Sequence, residues 1–555
     1  MIPLVIALGI FLYWTFLGKA VLALFSRSIG ILRSWLLAPG VGFATLFIAV
    51  AILNQAGIPI KAFAWGVTIS FLIFTIGVFK YRNIIVPVRA LGPFFAAIGF
   101  SLLWSAWPMF HFGFNWLSYV NDDFTNYCLA AERFKDFGFY RVPSKAELVG
   151  VDYAQYYWFM HAIQLMRFGS EHAVAWLSSL TGRPALEVFM PTIISFALAQ
   201  IFAASALVLA KGRYRNHAKW TAILLSFSPM FIFGSLYQLI AQVSGICLLL
   251  CLVVLLTSGP VKRRRGRIAL HAISTSIVGA ALCVFYPEVT PFACLAVGLY
   301  LILKWIRKSE LPGAEIVLLQ YSIIGIIVLL RYNIISYLYT LCNQFVGGTR
   351  RIDLSLSLFP FFLIPSGLAS IFGLQAMNQD VANPWGSIVI LIGFVLLVLC
   401  IIFAVKKAYE GSALGCLLLV ELVVSGLLYR TGNDFGLYKA VMFMQPLLMA
   451  ALAWNLVSIK VQRLIPLIAT CLFLLTCSTT LIYTKGSIGA GGGMTGEVSL
   501  ASQLINNRPK APKQGTHWLS DIDNVSAAKL VAGFYRGTSI SFICRDYFYP
   551  VFLPN

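Results

Sequence analysis

Acidic side chains are scarce in this chain. Twenty Asp and Glu stand against 41 Lys and Arg, and charged residues of both signs fill only 11% of 555 positions. Soluble domains carry about 25% charged residues, so a water-facing surface over most of the chain is excluded. Motifs are missing too. The 11 cysteines form no CxxC or other metal-ligand spacing, which argues against a structural zinc site or a dithiol redox pair. With no GxGxxG and no GxxxxGK[ST], neither dinucleotide nor P-loop chemistry has a loop to act on. No repeat of fixed short period is present, which sets aside solenoids and propellers. The opening MIPLVIALGIFLYWTFLG lacks a basic leader and a small-residue cleavage site, and reads as a retained span.

What is abundant is hydrophobicity, 59% of the residues. Apolar runs of roughly 17–25 residues recur, the length that crosses a hydrocarbon core. Their continuity is unlike the alternating segments of a transmembrane barrel. Candidate spans are 2–18, 35–54, 62–79, 86–107, 188–210, 219–235, 239–257, 268–285, 289–306, 314–332, 385–405, 412–428, 438–457 and 464–484. The fold expected is an all-α polytopic membrane protein of about fourteen helices. Its transmembrane unit, 1–484, carries large loops at 108–187 and 333–384, and a small α/β cap follows at 485–555.

The net charge of +21 invites a nucleic-acid partner, but its placement points to the bilayer instead. Alternate connections hold Lys19/Arg27/Arg33, Lys80/Arg82/Arg89, Lys211/Arg213/Arg215/Lys219, the Lys262–Arg267 cluster, Lys304/Arg307/Lys308, Lys406/Lys407 and Lys460/Arg463, more than half of all basic residues. Positive connections face the cytoplasm and its anionic leaflet. Both termini, the two large loops and most acids then face outward. Cys128, Cys342 and Cys544 fall in these outer segments, where a disulfide is open to them.

The longest polar segment opens with Asn121-Asp122-Asp123-Phe124-Thr125-Asn126-Tyr127, just beyond the fourth span. Its acids either cap a helix or carry chemistry. Helical spacing follows in Phe124, Tyr127, Cys128, Ala131 and Phe134, and again in Tyr153, Tyr156, Tyr157 and Met160. Such aromatic helices suit the headgroup layer. Other outer candidates are Asp152, His161, Glu288 in FYPEVTP, Asp434 in YRTGNDFGLYK, and the cations Arg331, Arg350, Arg351, Arg430 and Lys439. Carboxylates there are candidate general bases, and fixed cations can hold a phosphate leaving group. Snorkelling explains Arg331, Arg430 or Lys439 equally well one at a time. Glu421 lies mid-span, where an unpaired acid is expensive, and a structural hydrogen bond is expected for it.

The stretch NDDFTNYCLAAERF, an acidic pair followed by an aromatic helix, resembles the GT-C superfamily of integral membrane glycosyltransferases. GNDFGLYKA at 432–440 is similar to that family's late-span motif, which places a basic residue near a lipid phosphate. The likeness is strongest over roughly 86–210. Four spans precede the acidic loop where members more often have one, which leaves the sugar open. The resemblance implies an inverting transfer from a polyprenyl-phosphate sugar to a hydroxyl of a glycan, lipid or protein, at the periplasmic face of a bacterial inner membrane. It implies Asp122 as base with Asp123 assisting, and Lys439, Arg430 and Arg331 on the donor phosphate. Asp152, Tyr156, Glu288, Asp434 and His161 become candidates for acceptor and sugar. No cofactor is required, and Mg²⁺ or Mn²⁺ between Asp122 and Asp123 is open, since hard oxygen ligands suit them.

Two other classes compete. A ligase or polymerase of lipid-linked glycans shares the many spans and the large loop, and would rely on outer Arg and His. A lipid-glycan transporter or flippase needs midplane polar groups and discontinuous helices, for which Glu421 is the clearest local sign.

Overall fold

The computed structural model describes residues 1–148, 152–210, 214–258, 265–308, 313–331, 333–349, 359–377, 379, 381–458, 464–488, 517–520, 525–534, 536 and 539–542. The chain is an all-α polytopic membrane protein. Among the described residues thirteen single helices are long and apolar enough to span a bilayer, and a bent pair makes up to fourteen.

Four helices come first: α1 (Ile2–Phe25), α2 (Ile31–Gln55), α3 (Ile60–Arg82) and α4 (Val88–Ser105). The large loop then folds as α5 (Pro108–Phe112), α6 (Asp122–Asp136), α7 (Lys145–Leu148) and α8 (Gly169–Thr181). The spans resume with α9 (Ala185–Val208), α10 (Arg215–Ser226), α11 (Pro229–Leu236), α12 (Ile240–Thr257), α13 (Arg265–Phe285), α14 (Thr290–Lys308) and α15 (Gly313–Leu330). After α16 (Asn333–Thr349) and α17 (Ser366–Ile371) come α18 (Trp385–Tyr409), α19 (Ala413–Arg430), α20 (Asp434–Val457) and α21 (Leu464–Gly486). The expected span 219–235 is two helices, α10 and α11, bent by 53°. Pro229 explains the break: it opens α11, and its ring disfavours helical geometry at Ser228.

Helix α9 is buried along its whole length, and an aromatic cluster packs around it. Phe196 meets Trp14 and Phe43 at ring separations of 4.9 Å each. At the periphery, α3, α15 and α18 turn Ile73, Val328 and Leu391 outward, as lipid contact requires.

The alternation read from charge appears as a segregation of ends. One end gathers Lys304 with Glu315, Arg33 with Ser258, and Lys407 over Trp454. The opposite end gathers the large loop with Lys61, Gln238, Glu288 and Thr340. The cluster Lys262–Arg264, the turn at 350–351, and Asp353 and Asp380 lie outside the described residues.

The large loop differs from expectation in one respect. Helix α6 forms over the predicted stretch, but its aromatic face meets protein and not the headgroup layer. Phe124, Cys128, Ala131 and Phe134 are buried, with Phe124 edge-on to Phe189 of α9 at 4.9 Å. Helix α8, which is mostly buried, packs on α6 and caps the bundle. The tail supplies β1 (His517–Ser520), α22 (Val525–Phe534) and β2 (Ser539–Phe542). The strands pair in parallel, Trp518 opposite Ile540, which matches the strand–helix–strand expected. Helix α22 packs on α6, and Arg536 bonds Glu132, Asp136 and Asp152. Among the described residues every cysteine is a free thiol, and Cys544 lies outside them.

Candidate functional site

The entry to the acidic doublet is held in strained backbone. Ser118 and Val120 adopt φ of 58° and 49°, and Gln238 across from them has φ 63°. A β-branched residue at positive φ is a genuine outlier, and such strain persists only where the surroundings impose it. Here they do. Gln238 Nε2 donates to the Leu117 carbonyl at 2.6 Å, and its Oε1 accepts from Asn121 N–H at 3.2 Å. Ser118 Oγ donates to Leu236 O at 2.5 Å, and the Tyr119 hydroxyl to Tyr483 O at 2.7 Å.

Asn121 then caps α6. Its Oδ1 accepts from Phe124 N–H at 2.8 Å while its Nδ2 donates to Tyr237 O at 2.6 Å. Asp122 and Asp123 occupy the first turn and leave the N-cap to Asn121. The Asp123 side chain is exposed; that of Asp122 lies outside the described residues.

Around Asp123 a charged constellation converges from four separate parts of the chain. Arg167, in the loop before α8, donates to Glu288 Oε1 at 2.6 Å and to the Tyr127 hydroxyl at 3.0 Å. Its guanidinium lies 5.4 Å from the Tyr286 ring. Tyr286 fits because α12 has Gly245 there, where a Cβ would stand 2.4 Å from the tyrosine's own. The Lys439 ammonium lies 4.4 Å from the Phe435 ring, and Glu288, Arg167 and Asp123 all act on it electrostatically. Burial pushes the Tyr127 phenol well above its ordinary range, and Asp123 and Glu171 add to the effect against Arg167. Among the described residues, Arg167 Nε, Glu288 Oε2 and the Tyr286 hydroxyl are buried with no hydrogen-bond partner. Buried polar atoms left over in this way call for a ligand or a water.

Beside Arg167 opens a shallow cleft walled by Leu165, Phe168, Val284, Leu330 and Tyr337. Its outer wall, α16, also exposes Ile335, Leu338 and Tyr339, as a helix against lipid does.

Other predicted residues are engaged elsewhere. Asp152 caps a 3-10 turn and bonds Arg536 at 3.0 and 3.1 Å. Burial opposes its ionisation, yet Arg536 holds its carboxyl below the usual range. The Tyr156 hydroxyl donates to Leu148 O. His161 is buried, with Nδ1 against Tyr157 O at 2.9 Å and Nε2 against Glu171 at 3.3 Å. Asp434 is buried and accepts from Phe359 N–H at 2.5 Å. Arg430 is exposed at the end of α19, and Arg331, also exposed, follows Leu330 with φ 51°. Of the predicted residues the fold thus brings together Asp123, Glu288 and Lys439.

The residue that sequence reading missed is Arg167. Its one local signal is a lone cation in LMRFGS, and its partner is 121 positions away. Glu421 also departs from expectation: it is buried, and neither carboxyl oxygen has a hydrogen-bond partner among the described residues. Among the described residues no three His, Cys, Asp or Glu converge as metal ligands. A divalent cation, left open by the sequence, would draw on the doublet and on substrate oxygens. Compared with known proteins, the chain matches no protein-family model and no curated sequence.

Proposed function

We propose that the protein is a membrane glycosyltransferase that moves a sugar from a polyprenyl-phosphate donor to an acceptor hydroxyl. One observation carries the reading. An exposed acid not used as the helix cap, Asp123, stands in a field shared with Arg167 and Lys439, beside an apolar cleft. The apolar walls of the cleft and the exposed face of α16 suit an isoprenoid chain lying along them, and the cations suit the phosphate. As the acceptor oxygen attacks the anomeric carbon, a carboxylate of the doublet takes its proton. The bond from that carbon to the phosphate oxygen breaks, its electron pair leaves with the lipid phosphate, and configuration inverts. Arg167 and Lys439 stabilise the departing charge. Because the basic connections collect at the other end, the site faces the periplasm of a bacterial inner membrane. A lipid-linked donor is what that compartment needs, since nucleotide sugars stay in the cytoplasm.

The test uses Asp122→Asn and Asp123→Asn in nanodiscs. Loss of a positioned base lowers turnover by about 10²–10⁴. The melting temperature should hardly move, because Asn121 supplies the cap. If both variants transfer sugar at near wild-type rates, the reading fails. A lipid-glycan transporter is the second reading, favoured by Glu421, which has no hydrogen-bond partner among the described residues, and by the broken span at Ser228-Pro229. It predicts that Glu421→Gln blocks lipid movement in proteoliposomes while the doublet variants do not.

A further inference from the structure

The loop that presents Arg167 is not relaxed. It begins in a π-helical turn at Phe159–Ile163, a rare form that recurs at functional sites. Leu165 then takes φ 56°, which a leucine adopts only under constraint. Backbone-directed bonds hold the segment: Gln164 N–H to Phe159 O at 3.0 Å, Met166 N–H to Met160 O at 3.1 Å, Phe168 N–H to Val284 O at 3.3 Å, and Thr340 Oγ1 to Leu165 O at 3.3 Å. Besides the bonds of Arg167 itself to Glu288 and Tyr127, a side-chain tie from His161 to Glu171 closes the loop across its base at 3.3 Å.

We infer that a single proton shared between His161 and Glu171 fixes the Arg167 loop, making these two the positioning residues for the anion-binding arginine. This inference rests on the proposed role of Arg167. His161 Nδ1 faces the Tyr157 carbonyl, which can only accept, so Nδ1 carries a hydrogen. Its Nε2 faces a carboxyl oxygen, and two lone pairs cannot bond. One proton must therefore lie in that gap, as imidazolium with carboxylate or as neutral imidazole with carboxylic acid. Either form is neutral overall, which suits the burial of both side chains. Removing the proton leaves a buried negative charge opposite a lone pair, and the tie opens.

The titratable groups acting on the pair are Tyr127 from α6, which feels Glu171, and His172 from α8, which feels His161. Phe134 packs edge-on against His161, with ring centroids 4.9 Å apart. Neither neighbour titrates near neutrality. Burial raises the Tyr127 phenol and holds the His172 imidazole down at about 3.

Glu171→Gln separates this device from simple packing. The glutamine amide donates to the Nε2 lone pair of neutral His161, so the tie forms without a shared proton. The experiment measures farnesyl phosphate binding in nanodiscs at neutral pH, alongside hydrogen exchange of the 164–168 amides. Glu171→Gln should bind within about threefold of wild type and keep 164–168 protected, and Glu171→Ala should bind at least about tenfold more weakly and lose that protection, as for one lost charge-assisted bond. The inference is overturned if Glu171→Gln binds as weakly as Glu171→Ala, or if Glu171→Ala binds like wild type. Unchanged 164–168 exchange in Glu171→Ala overturns it as well. Should wild type bind no farnesyl phosphate while 164–168 lose protection in Glu171→Ala and keep it in Glu171→Gln, the role of Arg167 is overturned and the tie stands.

Discussion

The pair Arg167–Glu288 gives the most discriminating prediction, because stability and binding respond to it in different ways. The side chains are 16% and 10% exposed and meet at 2.6 Å. Breaking a buried pair from one side costs about 3–5 kcal/mol, since the other charge stays behind uncompensated. Arg167→Met also strips the Tyr127 hydroxyl of its donor, about 1 kcal/mol more. Lys439 acts in the same field and offsets part of the exposed Glu288 charge, so about 3 kcal/mol is expected for the single variant. Replacing both partners by apolar groups is different. Arg167→Met with Glu288→Leu removes both charges, and such double replacements are often neutral or stabilising. The melting temperature in detergent, followed by tryptophan fluorescence, should fall by several degrees in Arg167→Met and recover in the double variant. Binding of a polyprenyl phosphate should be lost in both. A double variant that recovers stability and also binds like wild type would reduce the pair to architecture. A single variant that melts like wild type would mean the ion pair is not formed.

Three further outcomes follow from the same geometry. Lys439→Ala should raise the donor KM more than it lowers the melting temperature, and Lys439→Arg should rescue it only partly, because a planar fork replaces a compact ammonium; steady-state kinetics at varied donor decide this. The Asp136 and Asp152 carboxyls have folded values below their unfolded ones, so the docking they give Arg536 is complete above the unfolded value of about 3.9 and is lost as pH falls through the folded one. Hydrogen exchange of 525–534 should report that loss in acid, and at neutral pH in Arg536→Ala. Single cysteines in a cysteine-depleted background should react with an impermeant maleimide from outside at position 145 and not at 264, with the reverse pattern overturning the orientation.

The spans were legible because each is a local signal. A helix in lipid must satisfy its own backbone and be apolar for about 20 residues, and that requirement is written where the helix is. Helix α6 was legible for a related reason, since the spacing of Phe124, Cys128, Ala131 and Phe134 marks one buried face. The depth of that face was not, because an aromatic stripe looks alike whether lipid or α9 lies against it. The site was half legible. Asp123 and Glu288 stand in a helix first turn and Lys439 in the second turn of α20, all near the loop end, so composition and topology sufficed to collect them. Asp152 and Asp434 stand at similar positions and are taken up by their own partners, Arg536 and the Phe359 amide. Nothing local distinguishes these two pairs from the first three acids and cations. Arg167 was illegible because its neighbours come from α6 and from the turn before α14, both remote in sequence.

The backbone before the doublet bears on what Asp122 and Asp123 are for. A chain that only had to begin a helix after a span needs a cap and a turn, and Asn121 with any relaxed loop would provide both. Instead Ser118, Val120 and Gln238 are held at positive φ, each at about 1–3 kcal/mol. The bonds that hold them tie this approach to two distant places: the end of α11 through Ser118 and Asn121, and the end of α21 through Tyr119 to Tyr483 and the Trp116 indole to Ser487 at 3.0 Å. What this expenditure fixes is the origin and direction of α6. It does not fix the stability of α6 itself, which Asn121 and the buried aromatic face already provide. Strain concentrated where it sets the start of α6, with Asp123 in a field shared with Arg167 and Lys439, fits the proposed reaction site. It also ranks the experiments. Relaxing the approach with Val120→Gly should raise the melting temperature if strain is all that is lost, and should lower turnover if the direction of α6 matters to the chemistry. A Val120→Gly variant that is both more stable and fully active would show that the strain serves no catalytic end.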